Sequence, residues 1–289
     1  MSARKVGIVP HPYRVSDQFL ADKIIPALDE YGFDHIIIRP HAKVVDPAEP
    51  ASLPADIGLF ALVVVGGDGT FLGASRLAVR ANVPIIGVEV GKVGFLCQVK
   101  VDAFSHFIRA LAAGDFSTED RMMLRGRIIR DGATAFHNVA LNDVVVGNAQ
   151  IPRMIELECA IGDTYLVTYY ADALIISTPT GSTAYSMAAG GPILAPTLDS
   201  IVLTPICAHS LYIRPVIVPE TETVRVIPSA SDPPLMATFD GQVFYNLQKG
   251  DEVHVMKYEK PLKMIKLPEF NFFETLMKKF KWGAKPFEP

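Results

Sequence analysis

The run Ala61-Leu62-Val63-Val64-Val65, followed at once by Gly66-Gly67-Asp68-Gly69-Thr70, constrains this chain more than any other stretch. Five apolar residues, three of them β-branched, read as a strand buried on both faces. The glycines around a single carboxylate then make a sharp turn, and Phe71 to Asn82 suits a helix that Thr70 can cap. Strand, glycine turn and helix start in that order set backbone N–H groups and a partial positive charge beside Asp68. Residues without side chains let a bulky anion come close to that backbone, which makes Gly66, Gly67, Gly69 and Thr70 candidates for binding phosphate. Asp68 is then placed to orient or deprotonate a hydroxyl, or to hold a metal bound to phosphate. Positioning and metal contact suit it as well as proton abstraction does. Many α/β units carry such turns with no catalytic acid, so the motif alone leaves a plain structural turn open.

With 289 residues the chain has room for one large domain or two ordinary ones. Its apolar content of 49% and charged content of 20% describe a well-packed soluble protein. A net charge of −4 gives no long-range pull toward nucleic acid or anionic membrane, so neither partner is expected and any phosphate site is local. Cys97, Cys159 and Cys207 are widely spaced in apolar surroundings and read as reduced thiols. Lys5 is followed by a short strand, not a secretory core, and no apolar run approaches the ~20 residues that span a bilayer. The expected compartment is the cytoplasm. The histidines show no metal-ligand spacing, so no metal-binding residue is assigned.

Residues 1–121 alternate strands (Val6–Val9, His35–Arg39, Leu59–Val65, Pro84–Val90) with helices (Asp17–Tyr31, Phe71 to Asn82, Asp102–Ala113), with a loop over Pro40–Pro54. Such alternation predicts an α/β domain with a parallel sheet whose ligands gather at the carboxyl ends of the strands, where Asp68 lies. A second glycine turn, Gly91 to Leu96, carries Phe95, which can stack on a flat ring or sit in the core. Over residues 122–267 short β-rich runs follow one another across turns such as Arg130-Asp131-Gly132, as in a β-sandwich-like domain. Residues 268–289 hold an amphipathic helix, Phe270–Trp282, expected to pack back on the first domain.

Asp172 to Ser177 reads as another strand. It leads into the hydroxyl-rich Thr178-Pro179-Thr180-Gly181-Ser182-Thr183-Ala184-Tyr185-Ser186 and a glycine stop before Pro192. Small side chains at a helix start make a slot for a planar, hydrogen-bonding ligand; a hydroxyl-capped turn is the plainer alternative. No Gly-x-Ser-x-Gly or Ser-x-x-Lys pattern occurs here, so a serine hydrolase has little support. Asn142-Asp143 and Asp240-Gly241 place polar groups between apolar runs, where an acid needs a partner such as a ribose hydroxyl.

Taken in order, these pieces resemble the NAD kinase family over essentially the whole chain. The Gly-Gly-Asp-Gly turn is shared with diacylglycerol and sphingosine kinases; the specific part is Asp172 to Leu194, with Asn142-Asp143, Pro205 to Pro215 and Asp240-Gly241. The resemblance implies transfer of the ATP γ-phosphate to the 2′-hydroxyl of the adenosine ribose of NAD, with Mg²⁺ on the ATP. Asp68 matches the proposed base, with Gly69 beside it; Asn142 and Asp143 match residues that grip the adenosine ribose, and Asp240 is a further NAD-binding candidate. Phe95, Thr180, Thr183 and Ala184 match the adenine pocket; Asp172, Tyr185 and Ala208 match the nicotinamide end. The resemblance also implies a homodimer or homotetramer whose neighbouring subunit supplies some contacts. Asp143 stands where glutamate is usual, Ala173 where glycine is, and Ala208 where proline is common. A lipid kinase sharing the glycine turn and a non-catalytic NAD-binding regulator are the alternatives. No P-loop sequence is present, which excludes the kinases built on one.

Overall fold

The computed structural model describes residues 4–39, 57–91, 94–148, 154–229, 234–266 and 271–282. The Pro40–Pro54 loop lies outside the described residues, as do Lys92 and Val93 of the second glycine turn. The chain divides into two compact units: one holds the described residues of 4–39, 57–119 and 263–282, the other those of 120–262.

In the first unit, β1 (Arg4–Pro10), β2 (Phe33–Ile37), β3 (Leu59–Gly66), β4 (Ile85–Glu89) and β5 (Cys97–Lys100) pair in parallel in the order β2-β1-β3-β4-β5. The strand Leu262–Lys266 also pairs with β4, and β6 (Ser117–Arg121) follows it in the sheet. Ala61 to Val65 are fully buried, as their composition requires. Ala61, Val63 and Val65 share a core with Leu20, Ile24, Leu28, Phe104 and Leu111. By strand alternation Leu62 and Val64 point to the opposite face.

The helix expected over Asp17–Tyr31 is two helices, α1 (Asp17–Lys23) and α2 (Ile25–Glu30). Pro26 is the cause. It has no N–H to bond back to Asp22 and its ring crowds that carbonyl, so it sits in the first turn of a new helix. The next helix, α3 (Asp68–Ala81), begins three residues before the expected start at Phe71. Gly67 is its cap, so Thr70 lies inside the first turn and does not cap it. α4 (Phe104–Ala113) follows a short 3₁₀ turn and ends at Gly114 with φ +77°, a conformation that suits glycine.

The second unit is a sandwich of two six-stranded antiparallel sheets. Its strands are β7 (Leu124–Arg130), β8 (Ala133–Ala140), β9 (Asp143–Asn148), β10 (Ile155–Ile161), β11 (Thr164–Ala171) and β12 (Ala173–Ser177). They continue with β13 (Ser200–Ile206), β14 (Val216–Pro219), β15 (Val224–Pro228), β16 (Leu235–Phe239), β17 (Val243–Leu247) and β18 (Glu252–Lys257). One sheet runs β11-β10-β15-β18-β7-β8 and the other β14-β13-β12-β9-β16-β17. Ile128, Leu157, Val226 and Val255 of the first sheet meet Val144, Val146, Leu174 and Ala237 of the second in one core. β13 is absent from the sequence reading; Pro205 within it reads as a strand breaker. The only α-helix here among the described residues is α5 (Tyr185–Ala188), preceded by a 3₁₀ turn over Gly181–Thr183.

The closing helix, α6 (Phe272–Phe280), belongs to the first unit. Asn271 caps it by accepting from the N–H groups of Phe273 and Glu274. Its Phe272 and Phe280 rings pack against Phe95 at 6.3 and 6.0 Å, which fixes the tail on the first unit as expected.

Candidate active site

The carboxyl end of β3 delivers the Gly66–Thr70 turn in the first unit. A Cβ on Gly66 would stand 2.6 Å from Thr70 Oγ1, so a side chain there would displace Thr70. A Cβ on Gly67 would meet nothing within 4 Å, which leaves open space over the start of α3. A helix start facing open space is suited to an anion. Asp68 does not point freely into solvent. Its Oδ2 accepts from Phe95 N–H at 2.8 Å, and its Oδ1 from the N–H groups of Leu96 at 3.1 Å and Cys97 at 3.4 Å. Gly94 makes this possible, since a Cβ there would lie 1.9 Å from Asp68 Oδ1. The two glycine turns of the first unit are therefore one structure, tied by the acid.

In the second unit Leu141-Asn142-Asp143 is held from two directions. Asp240 accepts from all three backbone N–H groups, at 3.1, 2.7 and 3.3 Å. From the other side the Thr178 hydroxyl donates to Leu141 O at 2.6 Å, and Thr178 N–H donates to Asn142 O at 2.9 Å. A Cβ on Gly181 would fall 2.1 Å from Asn142 O, so the hydroxyl-rich turn can press this close only through glycine. The result is a cavity of about 400 Å³ lined by Asn142, Asp143, Ala184, Tyr185 and Asp240 together with Gly147, Asn148, Ala173, Met236 and Thr238. Burial, and then the negative charge of Asp240, push the Asp143 carboxyl up to about 7. Near neutrality it can thus accept or donate a hydrogen bond.

The sequence profile of the ATP-NAD kinase N-terminal domain matches residues 42–116, and that of the ATP-NAD kinase C-terminal domain matches residues 141–267. The NAD kinase of Heliobacterium modesticaldum is 45% identical over 222 residues, 77% of this chain and 78% of that one. The NAD kinase of Syntrophotalea carbinolica is 36% identical over 286 residues, 98% of this chain and 100% of its own. The chain belongs to the NAD kinase family. Its fold is that of the yeast NADH kinase solved with NADH, with a TM-score of 0.82 at 22% identity over 99% of this chain and 90% of the yeast one.

Within this NAD kinase family member the expected residues fall into separate groups. Gly66, Gly67, Asp68, Gly69, Thr70 and Phe95 lie in the first unit, where Phe95 is engaged by α6 and has Lys279 Nζ 4.1 Å from its ring centre. Asn142, Asp143, Ala184, Tyr185 and Asp240 line the second unit's cavity. Thr180 and Thr183 are buried in the turn beside it, with the Thr183 hydroxyl donating to Thr180 O at 3.2 Å. The Cys207 thiol, next in the chain to Ala208, is hydrogen-bonded to the Asp172 carboxylate and raised by that bond. Sequence reasoning missed Gly147, Asn148, Met236 and Thr238; they reach the cavity because β9 and β16 are paired, which no local pattern announces. It also missed Arg121, a buried guanidinium that donates to Thr180 Oγ1 at 3.5 Å.

Proposed function

We infer that the protein is an NAD kinase: it transfers the γ-phosphoryl group of ATP to the 2′-hydroxyl of the adenosine ribose of NAD, giving NADP. The observation that carries this reading is the cavity gathering Asn142, Asp143, Ala184, Tyr185 and Asp240, in a chain whose full-length relatives are NAD kinases. Neither a lipid kinase nor a non-catalytic regulator accounts for that combination.

Phosphoryl transfer passes through a loose transition state, so the protein's work is to position groups and stabilise charge. The Asp68 carboxylate, fixed by three N–H groups, orients the reacting hydroxyl and receives its proton late. The open backbone at Gly66, Gly67, Gly69 and Thr70 takes phosphate. Asn142 and Asp143 hold ribose hydroxyls from a segment that Asp240 makes rigid. Thr180, Thr183, Ala184 and Phe95 are assigned to the adenine; Asp172, Tyr185 and Ala208 are assigned to the nicotinamide end. Residues 1–121 thus carry phosphate chemistry, residues 122–267 the dinucleotide, and residues 268–289 return to brace the first part.

Mg²⁺ enters with ATP as part of the substrate. Among the described residues no group of three His, Cys, Asp or Glu side chains could hold a metal ion, so the ion would be carried largely by the phosphates and water. When bound it neutralises charge on the phosphates, a role suited to a protein of net charge −4.

No helix among the described residues is long and apolar enough to cross a membrane. The cytoplasm, where both substrates are at hand, is the proposed compartment. Leu211 and Tyr212, 86% and 92% exposed, support a homodimer or homotetramer, because large apolar side chains left this open fit a subunit contact. Supplying purified protein with NAD, ATP and Mg²⁺ tests the reading. NADP should accumulate with ADP; calorimetric NAD binding without any NADP would overturn it.

A further inference from the structure

The first unit holds a second, larger cavity, of about 770 Å³, open to solvent between β5, α4 and α6. Cys97, Val99, Phe107 and Ala110 give it an apolar wall. Two acceptors interrupt that wall. Glu89 and Gln98 both line the cavity, and the Oε1 atom of each is buried without a hydrogen-bond partner among the described residues. Glu89 is only 8% exposed. A buried acceptor left unpaired costs about 1–3 kcal/mol, and folded proteins keep few of them. Two in one cavity, neither used by the reaction above, mark a place where donors belong.

The volume is that of a small-molecule site. The rim carries both signs, with Lys278 paired to Glu274 at 3.5 Å and with Lys100 and Asp115 also in the lining, so it does not select an anion. What the interior lacks is N–H groups on an apolar body. We propose that this cavity binds a flat aromatic ring bearing an amine or amidine, with the ring against Val99, Phe107 and Ala110 and the N–H groups donated to Glu89 and Gln98. Gly94 and Cys97 belong both to this cavity and to the turn that Asp68 holds, so an occupant touches the back of that turn.

Benzamidine is the probe, titrated into the full-length ¹⁵N-labelled protein without NAD or ATP. Benzonitrile, the same ring with an acceptor in place of the donors, is its control. Saturable amide shifts should centre on Gln98, Val99, Phe107 and Ala110. Benzonitrile should bind at least about tenfold more weakly, as loss of a hydrogen bond to a charged group requires. Ala110→Phe, which fills the cavity from α4, should abolish the shifts while NADP formation continues. Glu89→Gln should weaken benzamidine about tenfold, and carries the test if Ala110→Phe does not fold. No saturable shift at millimolar benzamidine, equal binding of benzonitrile, or unchanged binding in a folded variant would overturn the proposal. None of these readouts depends on turnover, so failure of the kinase reading would be seen separately.

Discussion

Phe95, Leu96 and Cys97 donate their N–H groups to the two oxygens of Asp68, and Gly94 leaves the space in which they meet. A methyl group at residue 94 must move either the acid or the turn. Gly94→Ala is therefore expected to lower kcat by about 100-fold, the usual cost of misplacing a reacting group by an ångström. Asp143 gives a different signature. The native state binds its proton more tightly than the unfolded chain, since burial and Asp240 raise it from 3.8 to about 7. Its contribution to stability is whole below about pH 4 and is lost as the pH climbs through about 7. Unfolding midpoints should fall across that window in the wild type, and Asp143→Asn should remove that fall. The Ala173 methyl is accommodated because its cross-strand partner is Gly147: a Cβ on Gly147 would lie 2.5 Å from it. Gly147→Ala should thus disturb β9 and β12, seen as a lowered Tm. The acid at residue 68 is legible in the sequence, but its backbone partners are not, because they arrive from a turn 27 to 29 positions further on.

Elements with a strong local pattern match the sequence reading well. β3 is buried along its apolar run, and the short strands of the sandwich follow their turns. The departures have local chemical causes: Pro26 splits one helix into two, and Gly67 rather than Thr70 starts α3. Pairing between distant elements is what alternation and turns leave unsaid. The chelate between Arg130 at the end of β7 and Asp251 before β18 is an example, with Nε and Nη2 donating at 2.7 and 2.8 Å to a carboxylate that is wholly buried. Gln248 N–H donates to the same group at 2.8 Å. Burial alone would raise Asp251, but these bonds outweigh it and hold the acid below its ordinary value. Asp251→Ala removes the acceptor of the Gln248 N–H and of a part-exposed Arg130, and denaturant unfolding should show a loss of about 1–3 kcal/mol. A loss under about 0.5 kcal/mol would mean the pair is no more than a surface contact.

At the scale of the molecule, the reaction proposed above would divide the labour of the two units between phosphate and dinucleotide. The first carries an acid fixed by backbone donors; the second carries a cavity whose floor is clamped by Asp240 and Thr178. Family and reaction were legible because the glycine turn, the Asn142-Asp143 pair and the Asp172–Leu194 run occur together and in order. The cavity walls and the exposed Leu211 and Tyr212 were not, since they depend on how strands assemble. Light scattering on the purified protein should give a dimer or tetramer mass. The most direct test of the whole account is the turnover of Asp68→Asn against the wild type, in NADP formed from NAD, ATP and Mg²⁺. A fall in kcat of about 10²–10⁴-fold with NAD affinity retained is the predicted result. Turnover close to the wild type would contradict it.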